Sequence, residues 1–531
     1  MTGERLRIAA LVLTAAALSL ARPTAAVERV PAAGPPEVQQ EIERLRATSP
    51  DERGEACLHL GSMGPKAAAA IPFLTALLGD TKCHRDWIDP QGPYTDHPVG
   101  ILAAEALAQI GPLAAGTLMR ALHSPSVDVR LHAVSGLWRM RDPPIDALFA
   151  VLKESDPAVR ASAALALAEI CREGTHEVSL KRLVAAMDDA HAPVRENLVR
   201  AISRVPVRER ADPLIAALKD PDARVRQGAV AGLALFRGDA PVREALLAAA
   251  EDKDHEVRLT VITALSGAAD DRVVDLFLAA LKDGRPDIRQ AAARSLGATR
   301  AARALGPLEA ALSDPDAGVR ATVTRALAES GGRAAVPVLV GALKDPDAYV
   351  RQEAASALAD MRDPAATEPL IAAMGDASGH VRWMAARGLA RFGDTRALEP
   401  LIAALTDQAG AVRQEAAEGL ARLADPRAVP ALVEALKPDY SRSGLRPTDM
   451  NEPARGMKDR VAAALVKIGK PAIDPLIVLL EQAGPEDRRW PGGASYAAEA
   501  LKKITGQDFG PDGAKWRAWR GEHPLAPGAA G

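Results

Sequence analysis

The chain has 531 residues, of which 25% are charged and 3% are aromatic, and its formal net charge at pH 7 is −3. This near balance excludes a general electrostatic attraction to nucleic acid or to anionic membranes. Apolar residues make up 48% of the chain, which excludes an intrinsically disordered protein. The scarcity of aromatic rings favours one repeated element over several large globular cores.

Residues 1–26 predict an export signal. Two arginines precede the apolar run from Ile8 to Leu20, and small residues then lead to Ala26. This order is typical of a secretory signal peptide, and the apolar run is short for a membrane span. We therefore expect a periplasmic or secreted protein, with an uncleaved membrane anchor as the alternative. Residues 27–36 are rich in proline, alanine and glycine and predict a linker.

Residues 37–126 predict repeated helices with an insertion at residues 80–100. The insertion contains Cys83, His84 and His97, whose side chains are able to bind metals. Their spacing matches no strong ligand motif, so these three residues are weak candidates for a metal site. A polar loop with nothing bound is the main expectation.

Residues 127–436 contain a regular repeat of about 31 residues, marked by an arginine that follows valine or isoleucine. An aspartate stands six residues before most of these arginines. Such pairs are Asp220 with Arg226, Asp314 with Arg320, Asp345 with Arg351, Asp376 with Arg382, and Asp407 with Arg413. A constant period of this length indicates stacked helical repeats. We expect each aspartate and arginine to bond to each other and to the neighbouring turn.

The stretch at residues 344–364 shows how one repeat is built. Asp345 predicts a helix cap and Pro346 the first helical position, and apolar residues then recur on one helical face. A short first helix, with Pro369 at its start, belongs to the following repeat. Because one helical pair cannot bury its apolar face alone, we predict about 14 stacked pairs in an all-α structure.

This pattern, with an alanine-rich second helix, resembles HEAT repeats over residues 37–505. The short repeat resembles the subtype found in phycobilisome-lyase-like proteins. The resemblance implies a right-handed α-α superhelix, a HEAT/armadillo-like solenoid, that acts as a protein–protein interaction scaffold. Similar repeats also assist attachment or removal of bilin chromophores, so a chromophore-handling protein is an alternative. The export signal argues against it, since such lyases act in the cytoplasm.

Second helices of such solenoids line a concave groove. Trp383 is a large ring one position after a repeat arginine, where other copies are mostly polar or small. It is a candidate anchor for a protein partner, and nearby arginines suit an acidic or extended peptide. These arginines are Arg200, Arg294, Arg325, Arg387 and Arg391. The alternative is a solvated surface with ion pairs inside one helix, such as Arg325 with Glu329.

Residues 437–505 predict further HEAT-like repeats, with insertions at 438–456 and 481–493. All three insertions fall between the two helices of a repeat, along one edge, where they either bind a partner or cap the array. Trp87 and Trp490 lie in insertions and are candidate partner contacts. Residues 506–531 resemble the ending of planctomycete-type HEAT-repeat proteins. We expect a cap, with Phe509 and two tryptophans on the last helix ends, and a disordered tail.

Signatures of catalysis are missing from the sequence, which has no Gly-rich phosphate loop, nucleophile elbow or zinc-protease motif. We therefore expect a non-catalytic scaffold with no cofactor, no nucleic-acid partner and no membrane span in the mature chain. A metal-binding accessory protein that uses the first insertion is another alternative. The three cysteines leave at least one thiol outside any internal pair, and a Cys57–Cys83 disulfide is an open alternative.

Overall fold

The computed structural model describes residues 34–86, 95–174, 176–268, 270–437, 452–483 and 492–524. The chain divides into an N-terminal unit that ends at Leu265 and a C-terminal unit that begins at Ser266. In the described ranges each unit is a stack of helical pairs, and each pair has a first and a second helix. The predicted all-α solenoid of about 14 pairs is confirmed.

The N-terminal unit has first helices with odd numbers and second helices with even numbers. They are α1 (Pro36–Arg44), α2 (Pro50–Ser62), α3 (Ile71–Ala76), α4 (Val99–Ile110), α5 (Pro112–Ala121), α6 (Val127–Trp138), α7 (Ile145–Val151), α8 (Pro157–Glu173), α9 (Leu180–Ala185), α10 (Ala192–Ile202), α11 (Ala211–Ala217), α12 (Ala223–Leu233), α13 (Ala240–Ala249) and α14 (His255–Leu265). Within this unit, consecutive second helices pack on one another.

The C-terminal unit continues this alternation. Its helices are α15 (Asp271–Ala280), α16 (Pro286–Thr299), α17 (Leu305–Ala311), α18 (Ala317–Gly331), α19 (Val336–Ala342), α20 (Ala348–Met361), α21 (Thr367–Ala373), α22 (Gly379–Phe392), α23 (Leu398–Ala404), α24 (Gly410–Leu423), α25 (Val429–Leu436), α26 (Glu452–Ile468), α27 (Ile473–Gln482), α28 (Gly493–Thr505) and α29 (Gly513–Glu522). α26 takes in residues 452–456, which were predicted as insertion. α29 follows the last pair and packs on α27.

The start of α20 differs from the sequence prediction by two residues. Asp347 is the N-cap, because its carboxylate accepts the N–H of Tyr349 at 2.8 Å. Pro346 therefore precedes the helix. The prediction that Asp345 is the cap was wrong, since its carboxylate closes the turn on the N–H of Asp347 at 2.8 Å and also bonds to an arginine of the preceding repeat.

The connection from α20 to α21 follows the expected stop signal. Arg362 ends α20 with a left-handed φ of 52°, and Pro364 opens a three-residue 3₁₀ turn. Pro369 is the third residue of α21 and not its start. This position is still harmless, because the first N–H groups of a helix have no intrahelical acceptor.

Small residues let the second helices approach closely. Ala354, Ala385 and Ala416 are fully buried in α20, α22 and α24. Gly388 of α22 is even more constrained, because a Cβ there would lie 2.8 Å from the Cβ of Ala359. The alanine-rich second helices therefore pack closely against one another in this part of the stack.

The first insertion contains a β-hairpin that the sequence did not predict. β1 (Cys83–Asp86) pairs antiparallel with β2 (Thr95–Pro98), and His84 stands opposite His97. His84 is 4% exposed, and its ring occupies the space that a Cβ at Gly54 of α2 would need, at 2.4 Å. The structure differs from the expected polar loop at Cys83–Asp86 and Thr95–Pro98, which form strands, and β1 packs on α2. Residues 87–94 of the insertion lie outside the described part of the chain.

A buried histidine joins two repeats in the N-terminal unit. His132 of α6 is 4% exposed, and its Nδ1 donates to the Leu78 carbonyl at 2.6 Å. Gly100 leaves room for the ring, since a Cβ there would lie 2.4 Å from Nδ1. Burial lowers the pKa of His132 below its usual 6.5, and the bond to Leu78 and the charges of Asp128 and Asp80 offset this only in part.

We expect His132 to weaken the protein as the pH falls from about 7 to about 5. The unfolded histidine binds its proton near pH 6.5, whereas the buried ring binds it only at lower pH, so unfolding takes up a proton in this window. His132→Gln keeps a donor without the titration, and it should flatten the dependence of the urea midpoint on pH. His123→Gln, at an exposed position, is the control. Equal pH slopes for wild type and His132→Gln would contradict this role.

Candidate functional site

Ion pairs link many of the second helices to the turn of the following repeat. Arg351 donates from Nε and Nη2 to the two carboxylate oxygens of Asp376, at 2.7 and 3.0 Å. Its Nη1 donates to the carbonyl of Asp345 at 2.8 Å. One guanidinium thus fixes its own turn and the next one.

The same arrangement recurs in both units, and we call it the Asp–Arg ladder. Its pairs are Arg53–Asp80, Arg160–Asp189, Arg195–Asp220, Arg226–Asp252, Arg289–Asp314, Arg320–Asp345, Arg351–Asp376 and Arg382–Asp407. Their side chains are only 6–16% exposed. Charge-assisted fork bonds of this kind are among the stronger hydrogen bonds in proteins, so the ladder is a structural element that holds the repeats in register.

The ladder affects the protonation of Asp376. The Arg351 guanidinium holds the pKa of Asp376 below its usual value against the opposing effect of burial, and the Ser378 N–H adds to the shift. Because the folded pKa is lowered, this stabilisation is complete above the unfolded pKa and is lost as the pH falls through the folded pKa.

The ladder contains a pair that sequence reasoning missed and a gap that it did not foresee. Arg53 follows glutamate and not valine or isoleucine, but it stands three residues after Pro50, as Arg160 stands three residues after Pro157. That spacing was the available signal. Arg130 bonds only to the Ser124 and Pro125 carbonyls, and its buried Nε has no acceptor in the described ranges.

Beyond Arg413 the ladder cannot be followed. The Nη1 of Arg413 donates to the carbonyls of Asp407 and Gln408. Residues 438–451, where the following turn would stand, lie outside the described part of the chain.

The predicted groove residues lie on a surface that we call the second-helix ridge. It comprises the positions one, five and nine residues after each repeat arginine, such as Trp383, Arg387 and Arg391 on α22. Trp383 is half-buried, and its Nε1 donates to Glu415 of α24 at 3.4 Å. Arg391 and Arg387 both approach one carboxylate oxygen of Asp360 on α20, at 2.6 and 3.8 Å. These two arginines therefore share a single acidic partner.

The other predicted arginines do not join this group. Arg325 of α18 pairs with Glu353 of α20 at 2.9 Å and donates to the Tyr349 hydroxyl at 3.4 Å. The expected intrahelical partner, Glu329, was wrong, because the Glu353 side chain is only 14% exposed and attracts the cation more strongly in its less polar site.

Arg294 and Arg200 stand apart from α22. Arg294 is exposed on α16, three second helices before α22, which at helix spacings of about 8–10 Å is far beyond contact. Arg200 belongs to the N-terminal unit, where it approaches Glu196 of its own helix at 3.4 Å. The ridge around α22 therefore has charges of both signs and one local excess of positive charge.

The remaining predicted site residues lie in or near insertions. Trp87 and Trp490 fall outside the described residues. Cys83 is exposed, His84 is buried and His97 is half-buried. Across the ranges that the structure describes, no group of three or more His, Cys, Asp and Glu side chains could hold a metal ion.

Cys57 and Cys83 are not joined by a disulfide, and burial raises the pKa of Cys57 to about 12. Of the helices in the described ranges, none is long and apolar enough to cross a membrane.

A family model described as HEAT repeats matches residues 115–203, 180–244, 211–297, 243–313, 305–381 and 367–444, which is more than half of the chain. A search of curated proteins found no match.

Solved structures with a similar fold include three karyopherins. Kap95p, in work on its binding to RanGDP, has a TM-score of 0.60 at 13% identity over 88% of this chain and 72% of that chain. Importin beta has a TM-score of 0.59 at 13% identity over 92% and 74%. Kap121p bound to RanGTP has a TM-score of 0.54 at 15% identity over 88% and 56%. At these identities the likeness concerns the fold.

Proposed function

The chain belongs to the HEAT-repeat family, and from that membership we propose that it is a non-catalytic scaffold that binds a protein partner through the second-helix ridge. The observation that carries the proposal is the face of α22, where Trp383 stands one turn from Arg387 and two turns from Arg391. Tryptophan and arginine are the residue types most enriched at the energetic centres of protein interfaces.

The charges around α22 indicate the kind of partner surface that fits. Arg387 and Arg391 share the one carboxylate of Asp360, so a carboxylate from a partner would complete their pairing. Both arginine side chains are about one-third exposed, at 31% and 32%. A partner with an acidic residue beside an apolar one would match the arginines and the ring of Trp383.

The solved relatives support a protein as the class of ligand. Kap95p and Kap121p appear with RanGDP and RanGTP in the structures to which this chain is similar. From these structures we infer only that the ligand of this chain is a protein.

Three finer features belong to the same proposal. Residues 1–26 direct export, so the mature protein acts in the periplasm or outside the cell. The edge that carries the insertions, with Trp87 and Trp490, adds contacts to the partner. The repeat of about 31 residues, with first helices of only seven or eight residues from α17 to α25, supports the short, phycobilisome-lyase-like subtype.

Site-specific photo-crosslinking tests the ridge. We expect a benzophenone amino acid in place of Trp383 to yield discrete protein adducts in the native cell, identified by mass spectrometry. The control is the same amino acid in place of Val478 on α27, which is 38% exposed. Trp383→Ala should weaken the capture of the identified partner at least about tenfold, while circular dichroism shows that the variant is still folded. Identical adducts at both positions would show that the ridge is not the binding surface.

A further inference from the structure

A cleft of about 570 Å³ lies in the N-terminal unit, with walls formed by residues 206–210 and 235–239. These segments follow α10 and α12, which have 11 residues each, whereas α20 and α22 have 14. The two helices thus end about one turn early. The residues that would form the last turn of a longer helix form the open walls of the cleft instead.

Two apolar side chains at the rim of this cleft are unusually exposed to solvent. Leu235 is 74% exposed, the highest value for a large apolar side chain in the described ranges, and Val207 on the facing wall is 39% exposed. Burial of an exposed leucine side chain is favourable in free energy, because it removes apolar surface from water. A ligand that covers both residues would recover much of this energy.

The cleft also carries positive charge. The Arg210 guanidinium lies 4.8 Å from the centre of the Phe236 ring and donates from Nη1 to the Val205 carbonyl. Its Nε is buried and has no acceptor among the described residues. Burial lowers the pKa of Arg210.

A second arginine reaches across the cleft. Arg208 meets Asp239 on the facing wall at 2.8 Å, but 76% of the arginine side chain is exposed. Exposed ion pairs of this kind contribute little to stability, so Arg208 can exchange Asp239 for another carboxylate at little cost. Two guanidinium groups therefore face one carboxylate among the lining residues.

We propose that this cleft, the α10–α12 cleft, binds an extended segment of a partner protein in which acidic residues stand beside a large apolar residue. The apolar side chain covers Leu235 and Val207, and a carboxylate pairs with Arg208 or Arg210. The volume lies within the range of about 300–1,000 Å³ typical of ligand sites. The cleft is formed by connections between repeats and not by the second-helix ridge, so the proposal does not depend on Trp383.

Fluorescence polarisation with a labelled peptide, Gly-Ser-Asp-Asp-Leu-Phe-Asp-Ser-Gly, tests the cleft. We expect saturable binding to the full chain, and we expect Leu235→Ser and Arg210→Gln each to raise Kd at least about tenfold. A peptide with asparagine in place of every aspartate should lose affinity to a similar extent. Matched controls in the same unit are Leu113→Ser, where the leucine is 63% exposed, and Arg224→Gln, at an exposed arginine; both should leave Kd within about twofold.

Three outcomes would overturn the proposal. The first is an absence of binding up to about 1 mM peptide. The second is equal affinity of wild type and Leu235→Ser, which is an exposed change that leaves the core intact and is checked by circular dichroism. The third is a dimer in light scattering that Leu235→Ser converts to a monomer, since the occupant would then be a second copy of this chain.

Discussion

Arg351→Ala should lower the free energy of unfolding of the C-terminal unit by about 3 kcal/mol. The guanidinium makes two bonds to the Asp376 carboxylate and two to the carbonyls of Asp345 and Pro346. With the arginine side chain 16% exposed and the aspartate 12% exposed, the substitution leaves a poorly solvated carboxylate without its cation. Urea denaturation followed by circular dichroism measures the loss.

Two further substitutions distinguish the effect of breaking the ladder bonds from the effect of removing a charge. Arg351→Lys keeps the charge but not the planar fork, so it should restore less than half of the lost stability. Arg130→Ala is the matched control, because Arg130 makes the carbonyl bonds of a ladder arginine and its Nε has no acceptor in the described ranges. Its substitution should cost about 1 kcal/mol. A change below about 0.5 kcal/mol for Arg351→Ala would show that the ladder does not stabilise the stack.

The double substitution Arg351→Ala with Asp376→Ala should cost less than the sum of the two single changes. Removal of both partners leaves no buried charge, so the coupling energy of the cycle should be about 2 kcal/mol. Since stability in stacked repeats depends on interfaces between neighbours, the broken pair should also lower hydrogen-exchange protection mainly in α20 to α22.

Helix boundaries were predictable where glycine and proline mark the end of a helix. α4 (Val99–Ile110) ends where Gly111, with a φ of 89°, and Pro112 stop it. The cap of α20 was not predictable in the same way. Asp345 and Asp347 are both able to cap, and the choice depends on Arg320, whose guanidinium takes the Asp345 carboxylate from 25 residues away.

The sequence predicted which residues lie on the second-helix ridge, but it did not predict which residues they contact. The repeat period identified the ridge residues, yet the partners of Arg325 and Arg391 are Glu353 and Asp360, which lie one helix away and not on the same helix. The β-hairpin escaped prediction because its strands, Cys83–Asp86 and Thr95–Pro98, have no alternation of apolar and polar residues. The α10–α12 cleft escaped because it depends on where two helices end.

Trp516→Ala should destabilise the C-terminal end of the stack by about 3–5 kcal/mol. Trp516 of α29 is fully buried, and its Nε1 donates to the Gly510 carbonyl at 2.8 Å. The ring packs edge-on against Phe509 and Trp519, with centroids at 4.9 and 5.9 Å. α29 approaches α27 so closely that a Cβ at Gly513 would lie 2.7 Å from the Glu481 nitrogen.

The comparison with Trp519 tests whether α29 is a cap. Trp519 is half-buried and stacks on His523, so Trp519→Ala should cost less than half as much as Trp516→Ala. A cap protects its neighbours, and hydrogen-exchange protection should therefore fall in α27 and α28 and stay unchanged in α16. If Trp516→Ala left hydrogen-exchange protection in α27 intact, α29 would not act as a cap. The apolar face of α27 would then not depend on α29 for its stability.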